Sequence, residues 1–223
     1  MLTRTRVLWC ILCSCALVVG AAVSAFAADP SAEEILSRAL DISAGVDDYT
    51  AQVKMEANFQ GAPGDVPEYK VYFKQPDKVK IESRSIVVVR REMFTFGSLA
   101  ERVEEGTTPH LLGKKIENGV PVYTVKLVPK EDADVHPGRM ILRVDGHRWT
   151  VNTIEITDGQ KTMAKFHWAF TQVDGKYWMP STIRCELPDA PSRDGTPGAE
   201  ISVAFSDYAV NTGLSDDLFT EDE

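Results

Sequence analysis

The sequence predicts a mainly β (α+β) fold: a long antiparallel meander with an N-terminal amphipathic helix and few other helices. Three observations predict it. Apolar residues recur at every second position in run after run from Tyr49 onward. Asp-Gly and Asn-Gly pairs separate several of these runs, the sequence signal of hairpin turns. Helical spacing is clear in one segment only, just after Pro30.

That segment opens with Ser31 and Glu34 in the spacing of a capping box, where each side chain meets the other end's free backbone N–H. Ile35, Leu36, Ala39, Leu40 and Ile42 follow on one face, and Gly45 fits the position past the helix end. A helix over Ser31–Ala44 is expected, with an apolar stripe that must be covered.

The period then falls from 3.6 to 2. Tyr49, Ala51, Val53, Met55, Ala57 and Phe59 alternate with polar residues, and Tyr69, Val71 and Phe73 do the same. Gly61-Ala62-Pro63-Gly64 and Gln75-Pro76-Asp77 read as the turns around the second run, and Val79 and Ile81 continue the pattern. Ser85–Phe96 reads as one or two further strands and Leu99–Glu105 as a short helix. Pro121–Pro129 is a strand behind the Asn118-Gly119 turn. Arg139–Val144, Trp149–Thr157, Thr162–Val173, Lys176–Leu187 and Ala199–Val210 complete the series. Asp145-Gly146, Asp158-Gly159 and Asp174-Gly175 separate the first four, and a Pro/Gly-rich loop over Pro188–Gly198 precedes the last.

The faces of these strands are unequal. Ala164, Phe166, Trp168 and Phe170 share one side of their strand; Tyr177, Met179, Ile183, Cys185 and Leu187 share one side of the next. One helix is little cover for nine or more strands. The sheet must curl into a packed core or leave a lined apolar cavity.

The 223 residues are 43% hydrophobic and 26% charged, which excludes a disordered or collagen-like chain. A single domain over residues 29–223 is expected. Lys+Arg total 24 against 33 Asp+Glu, a net charge of −9, so no nucleic-acid partner is expected. Residues 1–28 read as a signal peptide: Arg4 and Arg6, an apolar run from Val7 to Ala27, and the small-residue exit Ala25-Phe26-Ala27. Cleavage after Ala27 or Ala28 leaves a net charge of −11. The competing reading is an uncleaved anchor, since about 20 apolar residues can span a bilayer. Cys13 and Cys15 only faintly resemble a lipidation box. Of four cysteines, Cys185 alone remains after cleavage, so no internal disulfide can form.

Chemical motifs are missing. The sequence has no G-x-S-x-G elbow, H-E-x-x-H or phosphate loop. His110, His136, His147 and His167 are widely spaced, and the acidic run Glu131–His136 lacks the spacing of a calcium loop. No catalytic residue, metal site or cofactor is expected, and the chain is read as not an enzyme. The residues expected to line a hydrophobic ligand site are Val53, Met55, Phe59, Val71, Phe73, Ile81, Phe166, Trp168, Phe170 and Met179.

An ordered set of short segments carries a family resemblance. These are Tyr49-Thr50-Ala51, the stretch Tyr72–Lys78 (YFKQPDK), Leu111-Leu112-Gly113, Gly119–Tyr123, Leu127–Lys130 and the closing Tyr208–Phe219. Together they resemble the LolA-like outer-membrane lipoprotein-sorting proteins, with this chain a divergent member. The resemblance covers nearly all of residues 29–223. It implies a curved antiparallel half-barrel with helices over its open, apolar face. It also implies a periplasmic carrier or chaperone, active in transport, that shields lipid or lipoprotein acyl chains between a membrane donor and an acceptor protein. A monomer fits that role. The alternative reading is a lipid- or envelope-sensing regulatory module of the same fold. Where the family's carriers have an arginine between a lysine and a proline, this chain has Gln75. The family's opening mechanism is therefore not implied.

Overall fold

The computed structural model describes residues 29–62, 68–83, 103, 106–131 and 139–220. Helix α1 (Ala32–Leu40) continues as a 3-10 turn over Asp41–Ser43. Ser31 caps it, its side chain accepting a hydrogen bond from the Glu34 N–H at 3.1 Å. Glu34 does not complete the expected box: its carboxylate pairs with Arg38 one turn on, the favourable i,i+4 arrangement. Gly45 follows at φ +82°, where a side chain would be strained.

Ten strands follow: β1 (Asp48–Ala57), β2 (Tyr69–Lys74), β3 (Lys78–Ser83), β4 (Thr107–Glu117), β5 (Val120–Pro129), β6 (Arg139–Asp145), β7 (Thr150–Thr157), β8 (Thr162–Val173), β9 (Tyr177–Pro191) and β10 (Pro197–Val210). They form one antiparallel sheet in the order β3-β2-β1-β10-β9-β8-β7-β6-β5-β4. The meander is thus split: the first hairpin set joins the last strand through β1–β10 pairing, for example Val53 opposite Phe205. Register shifts occur in six ladders, such as Leu111/Gly113, Arg143/Val144 and Ala169/Phe170. Bulges of this kind raise local twist and bend the strands, and the open sheet is curled, consistent with the LolA-like half-barrel. No helix among the described residues is long and apolar enough to cross a membrane.

Turn chemistry follows the sequence in most places. Asn118 and Gly119 both have positive φ and join β4 to β5 in two residues. Asp174 and Gly175, also at positive φ, open the three-residue turn between β8 and β9. Asp158 accepts from the backbone N–H groups of Gln160 and Lys161 before β8.

Four expectations need correction. The first strand ends at Ala57; Phe59 lies beyond it and makes only an isolated bridge to Ser192. The Asp145-Gly146 turn is longer than two residues, because Asp145 accepts from the N–H groups of both His147 and Arg148 and Trp149 takes a positive φ. The loop expected over Pro188–Gly198 is mostly strand. Pro191 pairs with Pro197, and only Ser192–Thr196 turns, held by Asp194. Finally, β4 was not anticipated at all. It is a sheet-edge strand with exposed side chains, so burial imposes no alternation on it. The strands expected over 85–96 lie outside the described residues, as does nearly all of the short helix expected over 99–105.

Two cores lie on the apolar side of the sheet. One gathers Val46, Tyr49, Ala51, Val53, Tyr69, Val71, Phe73, Val79, Met179, Ile183, Val203, Phe205 and Val210. The other sets Ala32, Ile35, Leu36 and Ala39 of α1 on Tyr123, Val125, Leu127, Met140, Leu142 and Val144. Helix α1 therefore covers the β4–β6 end of the sheet.

Candidate functional site: the apolar strip between the two cores

One register line crosses eight strands and is apolar throughout. Ala57 pairs with Ile201, Ile201 with Cys185, Cys185 with Phe166, Phe166 with Ile154, Ile154 with Leu142, Leu142 with Val125 and Val125 with Leu111. The next line, one residue along each of seven strands, is polar: Glu56, Ser202, Arg184, His167, Thr153, Arg143 and Thr124; on β4 the register shift puts Gly113 there. Period-2 alternation, kept in phase across the sheet, makes one side apolar and the other charged. On the charged side, Arg184 meets Glu186 at 2.9 Å and Glu200 at 3.5 Å, and Arg143 meets Glu117 at 2.5 Å.

The apolar side is unevenly covered. The residues of each core are buried. At the seam between them, Ile154 and Ile156 of β7 pack on the α1-side core, while Phe166 and Trp168 of β8 pack on the other. All four are only half-buried. Met55 and Ile201 extend the seam, also half-buried. Trp168 and Phe170 stack with ring centroids 6.2 Å apart. The seam is a strip of aliphatic and aromatic side chains that keep part of their surface exposed.

The expected lining residues separate into three groups. Val53, Val71, Phe73 and Met179 are core, at 1%, 0%, 4% and 2% exposure. Met55, Ile81, Phe166 and Trp168 are half-buried and pack against that core. Phe170 and Phe59 belong to neither core; Phe170 reaches the strip by stacking on Trp168, whereas Phe59 sits by the β9–β10 turn. Sequence reasoning missed Ile154, Ile156 and Ile201. The signal was available in β7, where Val151, Ile154 and Ile156 are apolar, but the extra residue near Val151 interrupts simple alternation.

Burial dominates the chemistry of this side. It pushes the Cys185 thiol up to about 11 and the Tyr69 hydroxyl to about 12. Tyr208 is also held neutral by burial, its hydroxyl donating to the Pro180 carbonyl at 2.7 Å. A polar groove of about 730 Å³ lies elsewhere, at β1–β3, lined by Gln52, Glu68, Lys70, Glu82 and Ser83. Among the described residues no group of three or more His, Cys, Asp or Glu is placed to hold a metal ion.

At the end of the sheet beyond the strip, Gln75 has a definite partner. Its backbone N–H donates to Asp47 O at 2.8 Å and its side-chain amide to Val46 O at 2.7 Å. The β2–β3 turn is thereby fastened to the chain entering β1. Lys74 and Lys78 both reach Asp216, at 2.6 and 3.1 Å, which brings the C-terminal 3-10 turn (Asp216–Phe219) against the same turn.

Comparison with known structures places this architecture. A putative outer membrane lipoprotein-sorting protein domain from Vibrio parahaemolyticus superposes with TM-score 0.57 at 14% identity, covering 85% of this chain and 96% of that one. A LolA superfamily protein from Nitrosomonas europaea superposes with TM-score 0.56 at 15% identity, covering 86% and 99%. At such identities the shared property is the fold. No curated protein sequence matches the chain. A family model described as an uncharacterized protein matches residues 90–223, more than half of the sequence. The chain belongs to that family and carries, at low sequence identity, the fold of the LolA-like proteins.

Proposed function

We propose that the protein is an exported, periplasmic carrier that holds the acyl chains of a lipid or lipoprotein against the apolar side of its sheet. The observation that carries this reading is the half-buried strip of Ile154, Ile156, Phe166 and Trp168 between two closed cores, continued along the margin of one core by Met55 and Ile201. An acyl chain left in water costs about 0.8 kcal/mol per CH₂, so a carrier must offer a long apolar surface that is not already filled. Val53, Val71, Phe73 and Met179 form the floor of the site, Ile81 and Phe170 its margin, and Phe59 its far end. Every contact is dispersive and tolerant of chain identity; no covalent chemistry is required. The fold shared with a lipoprotein-sorting domain supports the reading. So does the sequence of residues 1–28, which we read as a cleaved export signal.

The direct test is Trp168→Asp. A carboxylate in the middle of the strip would have to be desolvated by a bound acyl chain. Displacement of a fluorescent fatty acid should fall by at least about ten-fold, with the far-ultraviolet spectrum unchanged. Undiminished uptake by this variant would remove the strip from the site.

A further inference from the structure

We propose that β4, the edge strand of the sheet among the described residues, docks the protein onto an anionic lipid bilayer. Three of the four large apolar side chains exposed among the described residues belong to this one strand: Leu111 at 38%, Leu112 at 56% and Ile116 at 64%. The ladder to β5 shifts register between Leu111 and Gly113, which leaves Leu112 without a pairing partner. From Thr107 to Ile116 the strand contains His110, Lys114 and Lys115 and no acidic residue, in a chain of net charge −9. Lys115 is exposed and makes no ion pair among the described residues. Two described acids beside the strand are paired, Asp29 with Lys114 at 2.5 Å and Glu117 with Arg143 at 2.5 Å, while Glu33 of α1 lies near His110. Exposed aliphatic side chains beside an uncompensated lysine suit the interface of an anionic membrane.

A second, independent observation points to the same partner. Asp29 stands two residues beyond the end of the apolar run Val7–Ala27. Its carboxylate is bound to Lys114, so the chain enters the fold at the β4 edge. A copy that retains that run as a membrane anchor would hold the β4 edge beside the bilayer surface. Addition of a partner's β-strand fits less well. Pro109 has no N–H to offer a new ladder, and paired lysines and a bulge are the features that discourage edge pairing. The inference concerns how the protein meets a membrane and not what it carries, so it stands or falls separately from the acyl-chain reading.

The test is flotation of the protein, purified from an exporting host, with vesicles of phosphatidylglycerol and phosphatidylethanolamine, and with phosphatidylcholine vesicles alone. The wild-type protein should float with the anionic vesicles. The double variant Leu112→Glu/Ile116→Glu should lower its partition by about ten-fold or more. Lys115→Glu alone should lower it by about five-fold. Met163→Glu, at a residue 48% exposed on β8, should have no effect and controls for added charge. Fatty-acid uptake should be unchanged in the β4 variants, which separates this edge from the strip. Failure of the wild-type protein to float, undiminished flotation of the double variant, or an equal loss in Met163→Glu would overturn the proposal. So would a protein that ignores vesicles and forms a dimer that Leu112→Glu/Ile116→Glu dissolves, since the edge would then pair with a second copy.

Discussion

Asp48 is joined to Thr212 by two hydrogen bonds: its Oδ1 accepts from the Thr212 backbone N–H at 2.8 Å and from the hydroxyl at 3.2 Å. Its other oxygen accepts from the N–H groups of Gly213 at 2.9 Å and Leu214 at 3.2 Å. A carboxylate at the start of β1, 3% exposed, thus satisfies the backbone that leaves β10. Asn211 completes the knot. At φ +56° its side-chain oxygen accepts from the Asp47 N–H at 2.7 Å, and its amide donates to Gly45 O at 2.7 Å. Asparagine tolerates that left-handed backbone better than most residues.

This arrangement makes Asp48 a structural residue. Asp48→Ala leaves several inward-facing N–H groups without an acceptor and should destabilise the fold by about 2–4 kcal/mol. Urea unfolding followed by tryptophan fluorescence measures it. A loss below about 0.5 kcal/mol, the size of an ordinary surface substitution, would mean that water replaces the carboxylate without penalty.

The β9–β10 turn should be sensitive to acid. Hydrogen bonds to the Asp194 carboxylate, first from the Ser192 hydroxyl and then from Thr196, hold it down to about 2 from an ordinary value of 3.8. Because the folded value is the lower one, the stabilisation is present above 3.8 and is lost as pH falls towards about 2. Asp194→Ala should therefore lower Tm at neutral pH, and the gap to wild type should close as pH is lowered through that window. A gap that stays constant with pH would assign the role of Asp194 to something other than its charge.

Cys185 should be chemically quiet. Burial, and secondarily the charge of Glu186, raises its thiol from 9.0 to about 11, which leaves about 100-fold less thiolate near neutral pH. Its reaction with a disulfide reagent should be slower than that of the urea-unfolded chain by at least about that factor. By the same shift, stability should decline as pH rises from 9.0 towards about 11, because the unfolded thiol ionises first. Equal rates in folded and unfolded protein would show that the β8–β10 part of the sheet opens readily.

Much of this was legible in the sequence, for reasons that can be named. Helix α1 shows itself through Ser31 and its apolar stripe because burial on β5–β6 requires that stripe. Strand β2 and the second half of β1 alternate because only one of their faces is buried. The aromatic run Phe166, Trp168 and Phe170 identified the strip, since few polar sheets place such residues on one side. What stayed hidden had no local signature. Edge strand β4 is exposed from His110 onward, so nothing in its composition reports pairing. The prolines at 188, 191 and 197 read as breakers, yet Pro191 and Pro197 sit opposite each other at the irregular end of a hairpin, where a missing N–H is tolerated. The division of the apolar residues into two cores and a half-buried seam depends on where α1 lands, which only the tertiary structure reveals.

The central claim is that this seam holds acyl chains. Native mass spectrometry of protein purified gently from an exporting host, followed by solvent extraction of whatever is bound, tests it most directly. The account predicts a species heavier than the bare chain, with lipid or acylated peptide in the extract, and loss of that species in Trp168→Asp. A bare-chain mass that persists after incubation with lipid vesicles and with a lipoprotein would contradict it, and the strip would then be the margin of a filled core.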